Sequence, residues 1–233
     1  MDYRERHVIV TGGTGALGVA VVEALLDAGA ICHVPFRSGA AAERMSQHKH
    51  PRLQLISSAS VADEREVERI YSGVPDLWAA IHVAGGFAFG PIAEVSKVQL
   101  MEQLETNFIS CFLCCRAAIM AMTATGRGGR IVNVAARPAL EWRSGARMSA
   151  YTASKAAVAA FTAAIAEEVA GQGILVSAVA PSILDTPQNR KSMPKADHEA
   201  WPKVDEVAST ILFLASPENR VTRGAIVPVY GRV

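Results

Sequence analysis

The stretch Thr11-Gly12-Gly13-Thr14-Gly15-Ala16-Leu17-Gly18 constrains the folding of this chain most, because of what flanks it. The apolar run His7–Val10 precedes it, and Ala16–Ala28 follows with the 3.6-residue apolar period of a helix, stopped by Gly29. A strand that enters a helix through so many glycines makes a tight turn with close backbone approach. The unit it begins is β-α-β, in which the next strand returns parallel to the first.

The alternation then runs to the end of the chain. Strands are expected at Ala30–Phe36, Leu53–Ile56, Leu77–Val83, Arg130–Val134, Ile174–Val179 and Ala225–Val229. Helices are expected near Asp63–Tyr71, Val98–Met122, Ala150–Ala170 and Val204–Ala215. This order predicts a doubly wound, Rossmann-like parallel α/β sheet of about seven strands with helices on both faces. No repeat, linker or low-complexity segment divides the 233 residues, so 1–233 is expected to be one domain. With 50% of residues hydrophobic but only 6% aromatic, small aliphatic side chains dominate, as buried parallel strands require. The segment Ser182–Lys203, with Pro187, Pro194 and Pro202 inside it and Pro181 at its entry, is expected to be irregular and lid-like.

Composition removes several function classes. A net charge of +1 without a Lys/Arg run gives a nucleic-acid groove no electrostatic support. Neither a signal-peptide apolar core nor an uninterrupted apolar span of membrane length occurs, so a soluble, cytoplasmic protein without a membrane partner is expected. Cys32, Cys111, Cys114 and Cys115 show no zinc-finger spacing; they are expected to be buried small hydrophobes, and no metal site is expected.

At the glycine-rich turn, backbone N–H groups at a helix start can receive a pyrophosphate. An NAD site would place Asp or Glu at the end of the second strand to bind the ribose 2′-OH. Here Val34-Pro35-Phe36-Arg37-Ser38 has no acid, the next being Glu43. Arg37 suits a 2′-phosphate, so NADP(H) is the preferred cofactor and NAD(H) the second choice. The competing reading of Arg37 is a solvated loop residue. Further along, Tyr151-Thr152-Ala153-Ser154-Lys155 puts Tyr and Lys on one helical face. An ammonium there stabilises tyrosinate and so is expected to lower the Tyr pKa from about 10, which suits the phenol to proton exchange with a carbonyl or alcohol.

Taken together, these residues resemble the short-chain dehydrogenase/reductase family nearly end to end. The resemblance implies that Gly12, Thr14, Gly15, Ala16, Leu17 and Gly18 hold the cofactor, although Ala16 stands where many members carry Gly. His82-Val83-Ala84-Gly85 resembles the family's Asn-Asn-Ala-Gly and lacks both Asn; Ala84 and Gly85 are implied cofactor contacts. Ser60 and Val61 fall at the adenine position. Pro181-Ser182-Ile183-Leu184-Asp185-Thr186 resembles Pro-Gly-x-x-x-Thr, which implies Pro181, Ile183 and Thr186 at the nicotinamide. Tyr151 is the implied acid/base, and Lys155 the implied Tyr-tuner and ribose ligand. Asn107 is implied as anchor of a relay water.

One departure is consequential. Ala136 occupies the position of the family's carbonyl-binding Ser after the fifth strand, and about two extra residues precede Tyr151. Three readings compete: Ser144 or Ser149 substitutes, the substrate needs little polarisation or brings its own donor, or the protein is a weak enzyme or a dinucleotide-binding regulator. An isomerase or dehydratase using the same Tyr is a further alternative. Dihydropteridine reductases, which lack the Ser, are similar at Gly12–Gly18 and Val83–Phe87. The expected activity is reduction of a carbonyl or conjugated C=O/C=N substrate. Arg137, Glu141, Trp142, Arg143 and Arg147 are candidates for the substrate mouth, and Asp197, His198 and Trp201 for the lid. His82 is read as a satisfied structural residue or as an adenosine contact. The resemblance also implies a homodimer or homotetramer through the Tyr helix and the long helix before it.

Overall fold

The computed structural model describes residues 1–37, 39, 43, 45 and 50–233. Seven strands form one parallel sheet: β1 (His7–Thr11), β2 (Ile31–Phe36), β3 (Leu53–Ser57), β4 (Leu77–His82), β5 (Gly129–Val134), β6 (Ile174–Pro181) and β7 (Ile226–Val229). Their spatial order is β3-β2-β1-β4-β5-β6-β7, and every neighbouring pair is parallel. The order reverses at β1, whose neighbours are β2 on one side and β4 on the other. Beyond the carboxyl ends of these strands such a sheet opens a crevice, because the connections on either side leave in opposite directions.

Helices cover both faces. The α1 helix (Ala16–Asp27) and the Val204–Ala215 helix pack together over Val8, Val10, Val34 and Val179. Opposite them, α2 (Glu64–Ser72) packs over Ile9, Ala80, Ile131 and Val176. With it lie the long helix before β5 and the Tyr helix, α6 (Ser149–Glu168). Asp63 caps α2 by accepting from the Glu66 N–H, which fixes where this charged helix starts.

Three segments differ from the sequence expectation. The long helix is composite: α3 (Lys97–Gln103), a π-helical segment at Leu104–Ile109, then α4 (Ser110–Thr125). As a whole, Lys97–Thr125 has the length and apolar composition to cross a membrane. It nevertheless packs on β4 and β5 and buries Cys114, Cys115, Ala118 and Met122 in the core. The residues before Tyr151 form a single helical turn, α5 (Arg137–Leu140), and a 3-10 turn at Trp142–Gly145. The expected irregular segment contains α7 (Pro187–Ser192) and a 3-10 turn at His198–Ala200, and is closed at its base by a bridge between Asp185 and Lys203. It leads into α8 (Val204–Ala215).

Candidate active site

A cleft of about 830 Å³ opens over the ends of β1, β4, β5 and β6, a size suited to a cofactor with its substrate. Gly12, Thr14, Gly15, Ala16, Leu17 and Gly18 line it, and no side chain caps α1 there. Two of these glycines are sterically required. A Cβ on Gly18 would sit 2.1 Å from the Gly12 carbonyl oxygen. Gly12 has φ +69, and its Cβ would come within 2.5 Å of the Ala84 nitrogen. The β1 and β4 turns are therefore in backbone contact, leaving room above them for a flat, extended group.

Arg37, exposed at the end of β2, and Ser60 and Val61, after β3, line one end of the cleft. Pro35, Phe36 and Arg37 bring no carboxylate to the wall there, although Asp63, beyond Ser60 and Val61, lines the same cleft; Ser38 lies outside the described residues. Ala84, Gly85, Ala136, Tyr151, Lys155 and Pro181 line the other end. At the β6 end, the wall is made by Leu184 rather than Ile183, which is 42% exposed and outside the cleft. Thr186 does not line the cleft either: its hydroxyl accepts from the Asn189 N–H as the cap of α7. The chain after Pro181 thus leaves the Ile183 side chain exposed and sets Thr186 at the start of α7, while the nicotinamide contact expected of Ile183 is one of its backbone.

Tyr151 and Lys155 lie one turn apart on α6. Burial pushes the Tyr151 phenol up to about 12, the reverse of the lowering expected from Lys155, and Phe87 packs edge-on against its ring at 5.1 Å. Lys155 is buried and donates from Nζ to the Val134 carbonyl at 2.7 Å. Burial lowers its pKa to about 8, with the Cys111 thiol opposing the shift. Gly85 must be small: a Cβ there would meet Asn107 Oδ1 at 2.8 Å and Lys155 Nζ at 3.2 Å.

Asn107 sits in the π-helical segment and is 1% exposed. Its Oδ1 accepts from the Gly86 N–H at 2.9 Å. Its Nδ2 lies 3.1 Å from the Gly86 carbonyl and 3.0 Å from Ser154 Oγ. Ser154 in turn donates to the Tyr151 carbonyl. Asn107 thus clamps the β4 turn to the Tyr helix from behind the cleft, and is a positioning residue by this geometry. The extra residue per turn of a π-helix turns it away from the surface stripe, a distortion often found at functional sites.

Neither Ser144 nor Ser149 reaches the cleft. Ser144 donates to the Glu141 carbonyl at 2.7 Å, and both are exposed. Ala136, 5% exposed, forms the wall where the expected donor is missing. The other candidates lie apart: Arg137 pairs with Glu141 and covers the Tyr230 ring, Trp142 is exposed, and Arg147 covers Phe89. Arg143, also exposed, is outside the cleft wall. Trp201 is buried against His198, whose Nε2 meets the Met193 carbonyl, and Asp197 caps the 3-10 turn. His82 is buried between Tyr71 and Asn133, as a structural histidine would be. Sequence reasoning did not assign Phe87, Glu105, Thr106, Ser110, Ser182 and Leu184 to the site, yet all line the cleft.

The family model for short chain dehydrogenase matches residues 6–197. The chain is 31% identical over 251 residues to galactitol 2-dehydrogenase of Rhizobium johnstonii, covering 98% of this chain and 97% of that protein. It is 28% identical over 248 residues to a 3-oxoacyl-(acyl-carrier-protein) reductase of Pseudomonas aeruginosa, covering 99% and 98%. Solved structures agree in fold. A short-chain type dehydrogenase/reductase from Mycobacterium ulcerans gives a TM-score of 0.91 at 21% identity, covering 100% of this chain and 90% of that one. ElxO with NADP bound gives 0.87 at 23% identity, covering 97% of each.

Proposed function

Because the chain belongs to the short chain dehydrogenase family of NAD(P)-dependent oxidoreductases, we propose that it is an NADP(H)-preferring reductase of a small carbonyl or conjugated C=O/C=N compound, acting as one dinucleotide-binding domain. The observation that carries this reading is the convergence of Tyr151 and Lys155 on the cleft whose other end is the glycine turn and Arg37. Arg37 suits a 2′-phosphate, the end of β2 carries no acid where an NAD site would place one, and ElxO, similar in fold, is known with NADP bound.

The turn amides and α1 would hold the pyrophosphate, Arg37 the 2′-phosphate, and Lys155 the ribose. When bound, the nicotinamide supplies the hydride. Tyr151, raised by burial to about 12, keeps its proton at neutral pH and is set to donate it to the substrate heteroatom. The Lys155 ammonium, one turn away, stabilises the tyrosinate that remains. Asn107 holds both partners in place through Gly86 and Ser154. Ala136 offers no hydroxyl, so Tyr151 is the donor that polarises the substrate, which favours an electrophile already activated by conjugation. Phe87 beside Tyr151 supports a flat or apolar substrate. Exposed Val98, Met101 and Met120 on the composite helix support assembly as a homodimer or homotetramer.

The test is NADPH and NADH consumption by the purified protein with simple ketones, diketones and dihydropterins. NADPH is expected to be consumed with conjugated members of the panel, and Tyr151→Phe is expected to lower kcat by about 10²–10⁴-fold. Tight NADPH binding without turnover would establish the regulatory alternative instead. Wild-type turnover in Tyr151→Phe would remove Tyr151 from the chemistry.

A further inference from the structure

Behind the catalytic wall lies a cluster that the reductase reading does not use. His82 ends β4, while Cys111 and Cys115 lie one turn apart at the start of α4. Among the described residues these three bring one nitrogen and two sulfurs within 4.8 Å of one another, and all three are buried. Asn133 on β5 aims Oδ1 at the same point, 2.8 Å from His82 Nδ1 and 3.4 Å from Cys115 Sγ.

We propose that His82, Cys111 and Cys115, with Asn133 Oδ1 as a weak fourth donor, form a buried structural site for a zinc-class divalent cation. The donor set is two thiolates and an imidazole, the combination that selects such ions over hard cations. The spacing suits one metal centre. With Zn–S near 2.3 Å and Zn–N near 2.0 Å, nitrogen and sulfur on a tetrahedral ion lie about 3.5 Å apart. Cys115 Sγ and His82 Nδ1 are 3.4 Å apart. The His82–Asn133 separation would open by about 0.5 Å for the oxygen to coordinate.

The charges and protons balance. Binding displaces one proton from each thiol to solvent, and two thiolates neutralise the dication, so the core gains no net charge. His82 binds through Nδ1 and carries its proton on Nε2, which then donates to the Tyr71 hydroxyl 2.9 Å away. Tyr71, itself 2% exposed, is the outer partner that a metal-bound imidazole requires to hold its ring orientation. Without metal, the His82 Nδ1–H and the Cys115 thiol both lie at hydrogen-bonding distance from Asn133 Oδ1. Both donors leave together when the ion arrives, and the freed oxygen faces a cation instead.

The test uses chelator-treated, reduced protein titrated with Co(II) in the absence of oxygen. One equivalent is expected to give a thiolate charge-transfer band and the strong visible bands of tetrahedral cobalt, both bleached by Zn(II). The double variant Cys111→Ser/Cys115→Ser is expected to lose the charge-transfer band, and His82→Asn to weaken it. Cys32→Ser, on distant β2, is expected to retain the wild-type spectrum. X-ray absorption on the Zn(II)-loaded wild type needs no variant and is expected to find two sulfur neighbours at about 2.3 Å. Absence of a thiolate band in the wild type, its survival in the double variant, or a zinc shell of only oxygen and nitrogen would overturn the proposal. These readouts do not depend on turnover, so they stand apart from the reductase assignment.

Discussion

Ala136 shows how much one methyl group can decide. It lies on the cleft wall beside Tyr151 and Lys155, with neither Ser144 nor Ser149 near enough to replace the missing hydroxyl. One donor aimed at a developing oxyanion is worth about 10²–10³ in rate. Ala136→Ser is therefore expected to raise kcat/KM for unactivated ketones by up to about 10²-fold, with a much smaller gain for conjugated substrates. Steady-state kinetics on a matched pair of substrates checks it, and an equal gain on both would show that polarisation is not what the wild type lacks. Ile183 and Leu184 mark the opposite limit at this scale. A motif locates the segment, but the local path of the backbone decides which of two neighbouring apolar residues enters the cleft.

The strands and most helices were legible because their apolar periods are unbroken: His7–Thr11 and Ala16–Asp27, or Ile174–Pro181, emerge within a residue or two of their expected bounds. The π-helical segment Leu104–Ile109 was not, since one extra residue in a turn leaves composition unchanged and shifts only the phase. For the same reason Glu105 and Thr106 were not read as cleft residues, although they line the cleft. The cluster of His82 with Cys111 and Cys115 was equally invisible, because sequence spacing carries no information on which strand end a helix will cover. Through this segment Asn107 joins the β4 turn to α6. Asn107→Ala removes the acceptor of a part-buried Gly86 N–H, and is expected to cost about 1–3 kcal/mol in stability. Urea unfolding measures the loss, and hydrogen exchange at Gly86 should accelerate with it. An unchanged midpoint would show that the clamp bears no load.

At the scale of the whole molecule, the sheet sets a buried histidine on β2, His33, against a half-buried one on β1, His7. His7 Nδ1 and His33 Nε2 are 2.8 Å apart, and the rings stack at 5.1 Å. Burial, then the neighbouring His7, lowers His33 from 6.5 to about 4. The unfolded chain takes up this proton at higher pH than the folded one. The contribution of His33 is therefore fully present above about 6.5 and is lost as pH falls toward 4. A difference of this size corresponds to at most about 3 kcal/mol. Urea midpoints should fall across that window, and His33→Gln should flatten the fall; an identical slope would place the acid sensitivity elsewhere.

The contact of the β1 and β4 turns, Gly12 against Ala84, has a consequence for the newly made chain. Strands β1 and β4 are sheet neighbours separated by two intervening strands in the sequence, and the cleft also draws on the ends of β5 and β6. Such long-range pairings form slowly, since the intervening chain must be closed into a loop first. No stretch that stops short of β6 holds the whole cleft, because Pro181, Ser182 and Leu184 complete its wall.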